Sequence, residues 1–175
     1  MKQKILILLL LIVLITVISQ LNMSGQNNIQ IGDKIPVFSL KDQNGVNFDS
    51  SDYIGNTTMV IYFYPKDDTP GCTKEACKFR DSYEEFTDRN VKVIGISSDD
   101  MQSHKDFATK YNLPFTLLSD PDNEVRKLFG VKSNMFGMLP GRVTYVVNNK
   151  GIVQFIYDNM FSAEKHIDKA LEALK

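Results

Sequence analysis

The chain has 175 residues, 43% of them hydrophobic and 23% charged, which is enough for one domain with its own core. Its formal net charge is −1 and its lysines and arginines form no stripe, so no nucleic-acid surface is indicated. Only two histidines, His104 and His166, occur, far apart and without cysteine or histidine at ligand spacing, and there is no glycine-rich phosphate loop. No resident metal or organic cofactor is therefore expected.

The first residues read differently from the rest. Lys2 and Lys4 precede an apolar run from Ile5 to Ile18, followed by Ser19, Gln20 and Leu21. A spanning helix wants ~20 apolar residues and an export signal ~7–15, so residues 1–21 read as a signal peptide or an uncleaved signal anchor. The expected destination is outside the cytosol: the periplasmic side in a bacterium, or a plastid reached through a signal-type presequence. Residues 22–30 are polar and read as a linker, which leaves 31–175 as the folded domain.

Val37, Phe38 and Leu40, then Asp42-Gln43-Asn44-Gly45, then Val46 and Phe48 form a hairpin pattern with Asn-Gly at its turn. Ser50 or Ser51 is placed to cap a short helical turn ending at Gly55. The run from Met59 to Tyr64 is continuous enough to be a central strand buried on both faces. Beyond it, Ala76, Phe79, Tyr83 and Phe86 recur at helical spacing and predict one helix with one apolar stripe. Val91 to Ile96 is the next strand, and Asp99 or Asp100 caps a helix carrying Met101, Phe107 and Tyr111. Phe115 to Leu118 is a short strand, and Asn123 to Phe129 a short helix stopped by Gly130. Residues 132–141 form a loop with exposed-looking Met135, Phe136, Met138 and Leu139. Val143 to Val147 and Ile152 to Tyr157 are joined by Asn148-Asn149-Lys150-Gly151, a second hairpin, and Ser162 opens a last helix. Both histidines read as surface positions on helices. Strands alternating with helices, closed by a hairpin and a helix, imply an α/β fold whose mixed central sheet is flanked by helices.

The chemistry concentrates at the end of the central strand. Pro65 ends the strand pairing, Thr69-Pro70-Gly71 breaks the chain, and Cys72 falls where a helix begins. Free N–H groups and the positive end of the helix favour an anion there, hence thiolate over thiol. Cys77 is the second cysteine of the chain. Small buried cysteines are common core residues, but a Pro-Gly-marked turn is a poor place for core filling, and the pair reads as redox-active. Five residues along a helix put their Cα atoms ~8.6 Å apart. That is beyond the ~7 Å that a disulfide spans without backbone movement. If the two cysteines pair, the helix opens, which suits a cycle better than a permanent staple.

Pro65-x-x-x-Thr69-x-x-Cys72 resembles the peroxidatic motif of peroxiredoxins, and DDTPGCTKEACKFRD resembles their bacterioferritin comigratory protein, or peroxiredoxin Q, subfamily. NLPFTLLSD, FGMLPGRVTYV and FIYDNMFSAEKHID extend the resemblance over 31–175. It implies a thioredoxin-like fold with Cys72 as peroxidatic and Cys77 as intramolecular resolving residue. The substrates would be hydrogen peroxide and alkyl hydroperoxides, the reductant thioredoxin or a similar protein, and the protein a monomer. Thr69 would orient thiolate and peroxide, Pro65 shield them, Arg142 supply a fixed charge, and Glu75 orient Arg142. Two other readings stand beside this one: a tethered thiol–disulfide oxidoreductase, which would favour C-x-x-C over the C-x-x-x-x-C present, and a redox-sensing domain without turnover.

Overall fold

The computed structural model describes residues 28–134 and 139–175. The expected signal segment, most of the linker, and Met135, Phe136 and Met138 of the loop lie outside the described residues. Among the described residues no helix is long and apolar enough to cross a membrane. Residues 28–30, the end of the expected linker, are already packed on the domain: Ile29 is buried and its N–H donates to the Phe129 carbonyl.

Strands β1 (Ser39–Asp42) and β2 (Asn47–Asp49) form the first hairpin, with Leu40 opposite Phe48. Gly45 takes the left-handed conformation of its turn (φ +77°), and Asp42 Oδ1 accepts from the N–H groups of Asn44 and Val46. A single 3-10 turn, Ser50–Asp52, follows, capped by Asp49 and not by a serine. Asp49 wins because its carboxylate reaches the Ser51 N–H, whereas Ser50 is buried with its hydroxyl on the Phe38 N–H.

The sheet is completed by β3 (Thr58–Phe63), β4 (Val91–Ser97), β5 (Thr116–Ser119), β8 (Val143–Val147) and β9 (Val153–Asp158), in the order β2-β1-β5-β4-β3-β8-β9. β3 pairs parallel with β4 and antiparallel with β8, so the sheet is mixed and β3 is interior. Between them, β6 (Ser133–Asn134) and β7 (Leu139–Pro140) form a separate two-stranded ribbon where a plain loop was expected.

The period-2 alternation of β3 divides the core in two. Met59, Ile61 and Phe63 face one layer with Phe38, Phe48, Phe129 and Tyr145; Val60, Tyr62 and Tyr64 face the other with Cys72, Phe79, Phe107 and Ile167. Helices α1 (Pro70–Asp81), α2 (Tyr83–Thr87), α3 (Met101–Tyr111) and α5 (Lys165–Ala173) send buried residues into the second layer, and α4 (Glu124–Leu128) sends Val125 into the first. This is the thioredoxin-like arrangement, a mixed sheet flanked by helices. Phe79 stacks on Tyr62 with ring centroids 4.6 Å apart and holds α1 to the sheet. Truncating such a buried ring costs about 3–5 kcal/mol.

Two helix expectations need correction. The stripe from Ala76 to Phe86 is carried by two helices, because Ser82 (φ −100°, ψ 10°) interrupts between α1 and α2. The last helix starts at Lys165 and not at Ser162, since Asn159 Oδ1 takes the N–H groups of Phe161 and Ser162 and holds them in a turn. Neither histidine is on the surface; both are fully buried. His104 lies on the apolar stripe of α3, three residues before Phe107, and His166 sits beside Ile167 in α5. Each ring reaches partners that make burial tolerable: Asp67 and the Leu118 carbonyl for His104, and the Thr144 hydroxyl and the Asn159 carbonyl for His166.

Candidate active site

Thr69 is the N-cap of α1 with extended backbone, Pro70 and Gly71 are its first two residues, and Cys72 is the third. Proline at the first position loses no bond there, since the opening N–H groups of a helix have no partner inside it. Cys72 is 2% exposed, so its sulfur sits under the rim of the pocket and not out in solvent. Neither Cys72 nor Cys77 is in a disulfide, and both lie in the one unbroken helix α1. Cys77, half-buried, does not line the pocket that Cys72 lines.

Arg142 comes from the far end of the chain to meet this sulfur. It immediately precedes β8, and β8 pairs with β3, so the arginine arrives beside the strand end from which α1 departs. Its Nη2 donates to Cys72 Sγ at 3.2 Å, its Nη1 to Glu75 Oε2, and its Nε to the Met160 carbonyl at 3.3 Å. Space is tight on the thiol side: a Cβ at Gly71 would stand 3.3 Å from Arg142 Nη2. A Cβ at Gly141 would run into the Lys132 carbonyl, so glycine there allows the two chain segments to cross.

Glu75 is fully buried one turn along α1 from Cys72. Burial raises its pKa to about 8, against the lowering effect of the Arg142 charge and hydrogen bond. Its Oε1 has no hydrogen-bond partner, and His166 Nδ1 stands 3.8 Å from it. His166 is pushed down to about 4, mainly by burial and further by Arg142, against the raising effect of its bond to Asn159. For Arg142 itself burial opposes the charge, but Glu75 and Cys72 outweigh it and leave the guanidinium more strongly protonated than usual.

Arg126 joins the two halves of the site. Its Nη2 donates to the Tyr64 carbonyl at 2.7 Å, just before Pro65, and its Nη1 to the Gly141 carbonyl at 2.9 Å, just before Arg142. Desolvation lowers it only to about 10, so it stays charged at neutral pH.

On the other flank, the loop from Pro65 to Thr69 is clamped to α3. Asp67 accepts from Tyr64 Oη (2.7 Å) and Ser103 Oγ (2.8 Å) and meets His104 Nδ1 at 2.8 Å, while its own N–H donates to Asp99 Oδ2. Asp68, in the left-handed conformation (φ 54°), pairs with Lys110 and the Tyr111 hydroxyl at the surface.

Between these flanks a cavity of about 560 Å³ opens over the sulfur, lined by Pro65, Lys66, Thr69, Gly71, Cys72 and Arg142, with Leu139, Pro140, Met160 and Phe161 as its apolar wall. The Thr69 hydroxyl here donates to the Lys66 carbonyl at 3.1 Å, leaving its lone pairs free. Thus Pro65, Thr69, Cys72 and Arg142 share one cavity, Glu75 lies behind Arg142, and Cys77 lies apart. Sequence reasoning missed Arg126 and His166. Each had a signal: an arginine directly after Val125 in a short helix, and a histidine directly before Ile167. Among the described residues no group of His, Cys, Asp and Glu is arranged to hold a metal ion.

The AhpC/TSA family matches residues 31–156 of the chain. The chloroplastic peroxiredoxin Q of Arabidopsis thaliana is 58% identical over 144 residues, covering 82% of this chain and 66% of its own length. That of Populus jackii is 56% identical over 144 residues, covering 82% and 67%. The chain therefore spans about two thirds of the length of these curated relatives. Among solved structures, the peroxidoxin BcpB of Mycobacterium tuberculosis superposes with a TM-score of 0.77 at 37% identity, over 83% of this chain and 96% of its own. The bacterioferritin comigratory protein of Xanthomonas campestris, solved for insight into its alkyl peroxide reduction activity, gives 0.73 at 31% identity over 81% and 97%.

Proposed function

The chain belongs to the AhpC/TSA family, and from that membership and the geometry around Cys72 we propose that it is a peroxiredoxin of the Q type. It reduces hydrogen peroxide and organic hydroperoxides to water and alcohols, without metal or organic cofactor. The observation that carries this reading is the Arg142 guanidinium donating to Cys72 Sγ at the floor of an open cavity, in the third position of a helix.

The Cys72 thiolate attacks one peroxide oxygen; the S–O bond forms as the O–O bond breaks, sulfur is oxidised to a sulfenic acid, and the departing oxygen leaves as hydroxide or alkoxide and takes a proton. Arg142 and the Cys72 N–H are fixed donors for the developing charge, which is where preorganised groups contribute most. The free lone pairs of Thr69 Oγ1 are placed to accept from the peroxide O–H, and Pro65 keeps water from the sulfur.

Cys77 then attacks the sulfenic sulfur and releases water, forming a disulfide that thioredoxin or a similar dithiol reduces. Because both cysteines sit in an intact helix, with Cα atoms ~8.6 Å apart by helix geometry, the first turns of α1 must open for this step. The protein works as a monomer in antioxidant defence. The Lys-flanked apolar run directs it out of the cytosol, and the chloroplastic names of its relatives favour a plastid destination. Fractionation with N-terminal sequencing tests that destination.

The deciding experiment for the chemistry is Cys72→Ser assayed for peroxide consumption with a thioredoxin system. Serine keeps the shape but supplies no thiolate, so consumption falls to background while the fold, read by circular dichroism, is kept. Retained turnover would end the assignment.

A further inference from the structure

Behind the sulfur lies an imbalance that the peroxidase cycle does not by itself explain. Two buried acids, Cys72 and Glu75, lean on one guanidinium: Arg142 gives Nη2 to the sulfur and Nη1 to the carboxylate. Arg126 feels the Cys72 charge at a distance, but among the described residues no other charged group nearby hydrogen-bonds either acid. Arg126 turns its Nη groups to the Tyr64 and Gly141 carbonyls, and its N–H to Asp120. His166, from α5, faces Glu75 across 3.8 Å, but its Nε2 donates to the Asn159 carbonyl and its Nδ1 accepts the Thr144 hydroxyl, the pattern of a neutral ring. Tyr62, from β3, is buried and strongly resists ionisation, chiefly through desolvation and then the Glu75 charge. Asp67, in the clamp, is already matched by His104.

Two anions bonded to one guanidinium in a dry interior repel each other and disfavour double ionisation. Glu75 is the better placed of the two to hold the proton, because its Oε1 is fully buried with no partner. An ionised carboxylate leaves a costly orphan there, and a protonated one much less.

We propose that Cys72 and Glu75 share a single negative charge through Arg142, so that Glu75 carries a proton while Cys72 is a thiolate and loses it when Cys72 becomes a sulfenic acid. This rests on the peroxidase reading. The step balances as thiolate, hydroperoxide and Glu75 carboxylic acid giving sulfenic acid, alcohol (or water) and Glu75 carboxylate. Sulfur supplies the electron pair, the O–O bond breaks, the leaving oxygen gains one proton, and the negative charge moves from the sulfur at Nη2 to the carboxylate at Nη1 of the same arginine. Glu75 does not line the cavity, so the proton passes through solvent and only the totals match. The upward displacement of Glu75 by burial runs the same way. Glu75 is here a positioning residue that acts through Arg142.

The test uses the full chain carrying Cys77→Ser, which holds the sulfenic acid, with one equivalent of peroxide near neutral pH. A weakly buffered indicator dye counts protons, and mass spectrometry with a sulfenic trap confirms oxidation at Cys72. With Glu75 present, oxidation takes up about 0 protons per Cys72; with Glu75→Gln added, it takes up about 1. In parallel, infrared difference spectra of the Glu75-containing protein lose a carboxylic-acid C=O band on oxidation and gain a carboxylate band. That second measurement needs no Glu75 variant and so survives a folding defect. Uptake of about 1 proton with Glu75 present, or no carboxyl band change while Cys72 is oxidised, overturns the charge sharing. Failure of Cys72 to be oxidised at all overturns the peroxidase reading beneath it, a result visible in the mass spectrum alone.

Discussion

Two buried polar clusters flank the stretch from Pro65 to Cys72, and they are built on opposite rules. In the Asp67–His104 clamp every side-chain polar atom is engaged: both Asp67 oxygens, both His104 nitrogens, the Tyr64 hydroxyl and the Ser103 hydroxyl. In the Arg142–Glu75 cluster one carboxylate oxygen is orphaned and the cation is divided between two acids. A fully satisfied network in a low-dielectric interior specifies a position; a partly satisfied one holds groups ready to change state. The first fixes where the pocket wall stands, and the second sets what the sulfur does.

That contrast predicts that damage to the two clusters appears in different measurements. Arg142→Met removes the donor to sulfur, and Glu75, protonated in the resting site, is not left as a lone buried charge. The rate constant for peroxide, followed by stopped flow, falls by about 10²–10³-fold, while the urea midpoint moves little. A large stability loss with a near-normal rate would invert the assignment of roles. Asp67→Asn does the reverse. It leaves His104 facing a neutral amide inside the core and lowers unfolding free energy by on the order of 3 kcal/mol. Well below the melting temperature, the peroxide rate drops by less than about tenfold.

A subtler separation comes from acid. His166 is held to about 4 against an ordinary 6.5, first by burial, so the folded state binds its proton less readily than the unfolded chain does. Its contribution is therefore complete above about pH 6.5 and is lost as pH falls towards 4, on the order of 3 kcal/mol in all. Urea titrations across that window should show the decline in the native protein and not in His166→Asn; parallel curves would assign the acid sensitivity to other groups. The smallest effect belongs to the surface half of the clamp. Lys110 and Asp68 are about half exposed, so Lys110→Ala leaves the urea midpoint and the peroxide rate unchanged within error. A clear loss there would mean that Asp68, and not Asp67, anchors the loop.

The parts of this molecule that were legible in its sequence are those with local signals. Asn44-Gly45, the apolar run into Pro65, and Thr69-Pro70-Gly71 before Cys72 each set a backbone state by the residues themselves. Arg142 could be named only through the resemblance to a known family, because nothing within a few residues of it indicates a thiol 70 positions away. The histidines read as surface positions because nothing local marks a buried imidazole, yet His104 and His166 lie inside with their ring nitrogens matched. The Ser82 break between α1 and α2 has neither glycine nor proline to announce it, and Asn159 delays α5 by a side-chain bond that spacing does not encode.

The distance along the chain between Cys72 and Arg142 has a consequence for the birth of the protein. At about 5–20 residues per second the ribosome needs roughly 4–14 s to add the 70 residues that separate thiol from guanidinium. Through that interval the emerged cysteine is an ordinary one. Only when β8 slots in beside β3 does the reactive site exist, so a nascent or truncated chain exposes a cysteine to oxidants without yet having the means to turn them over.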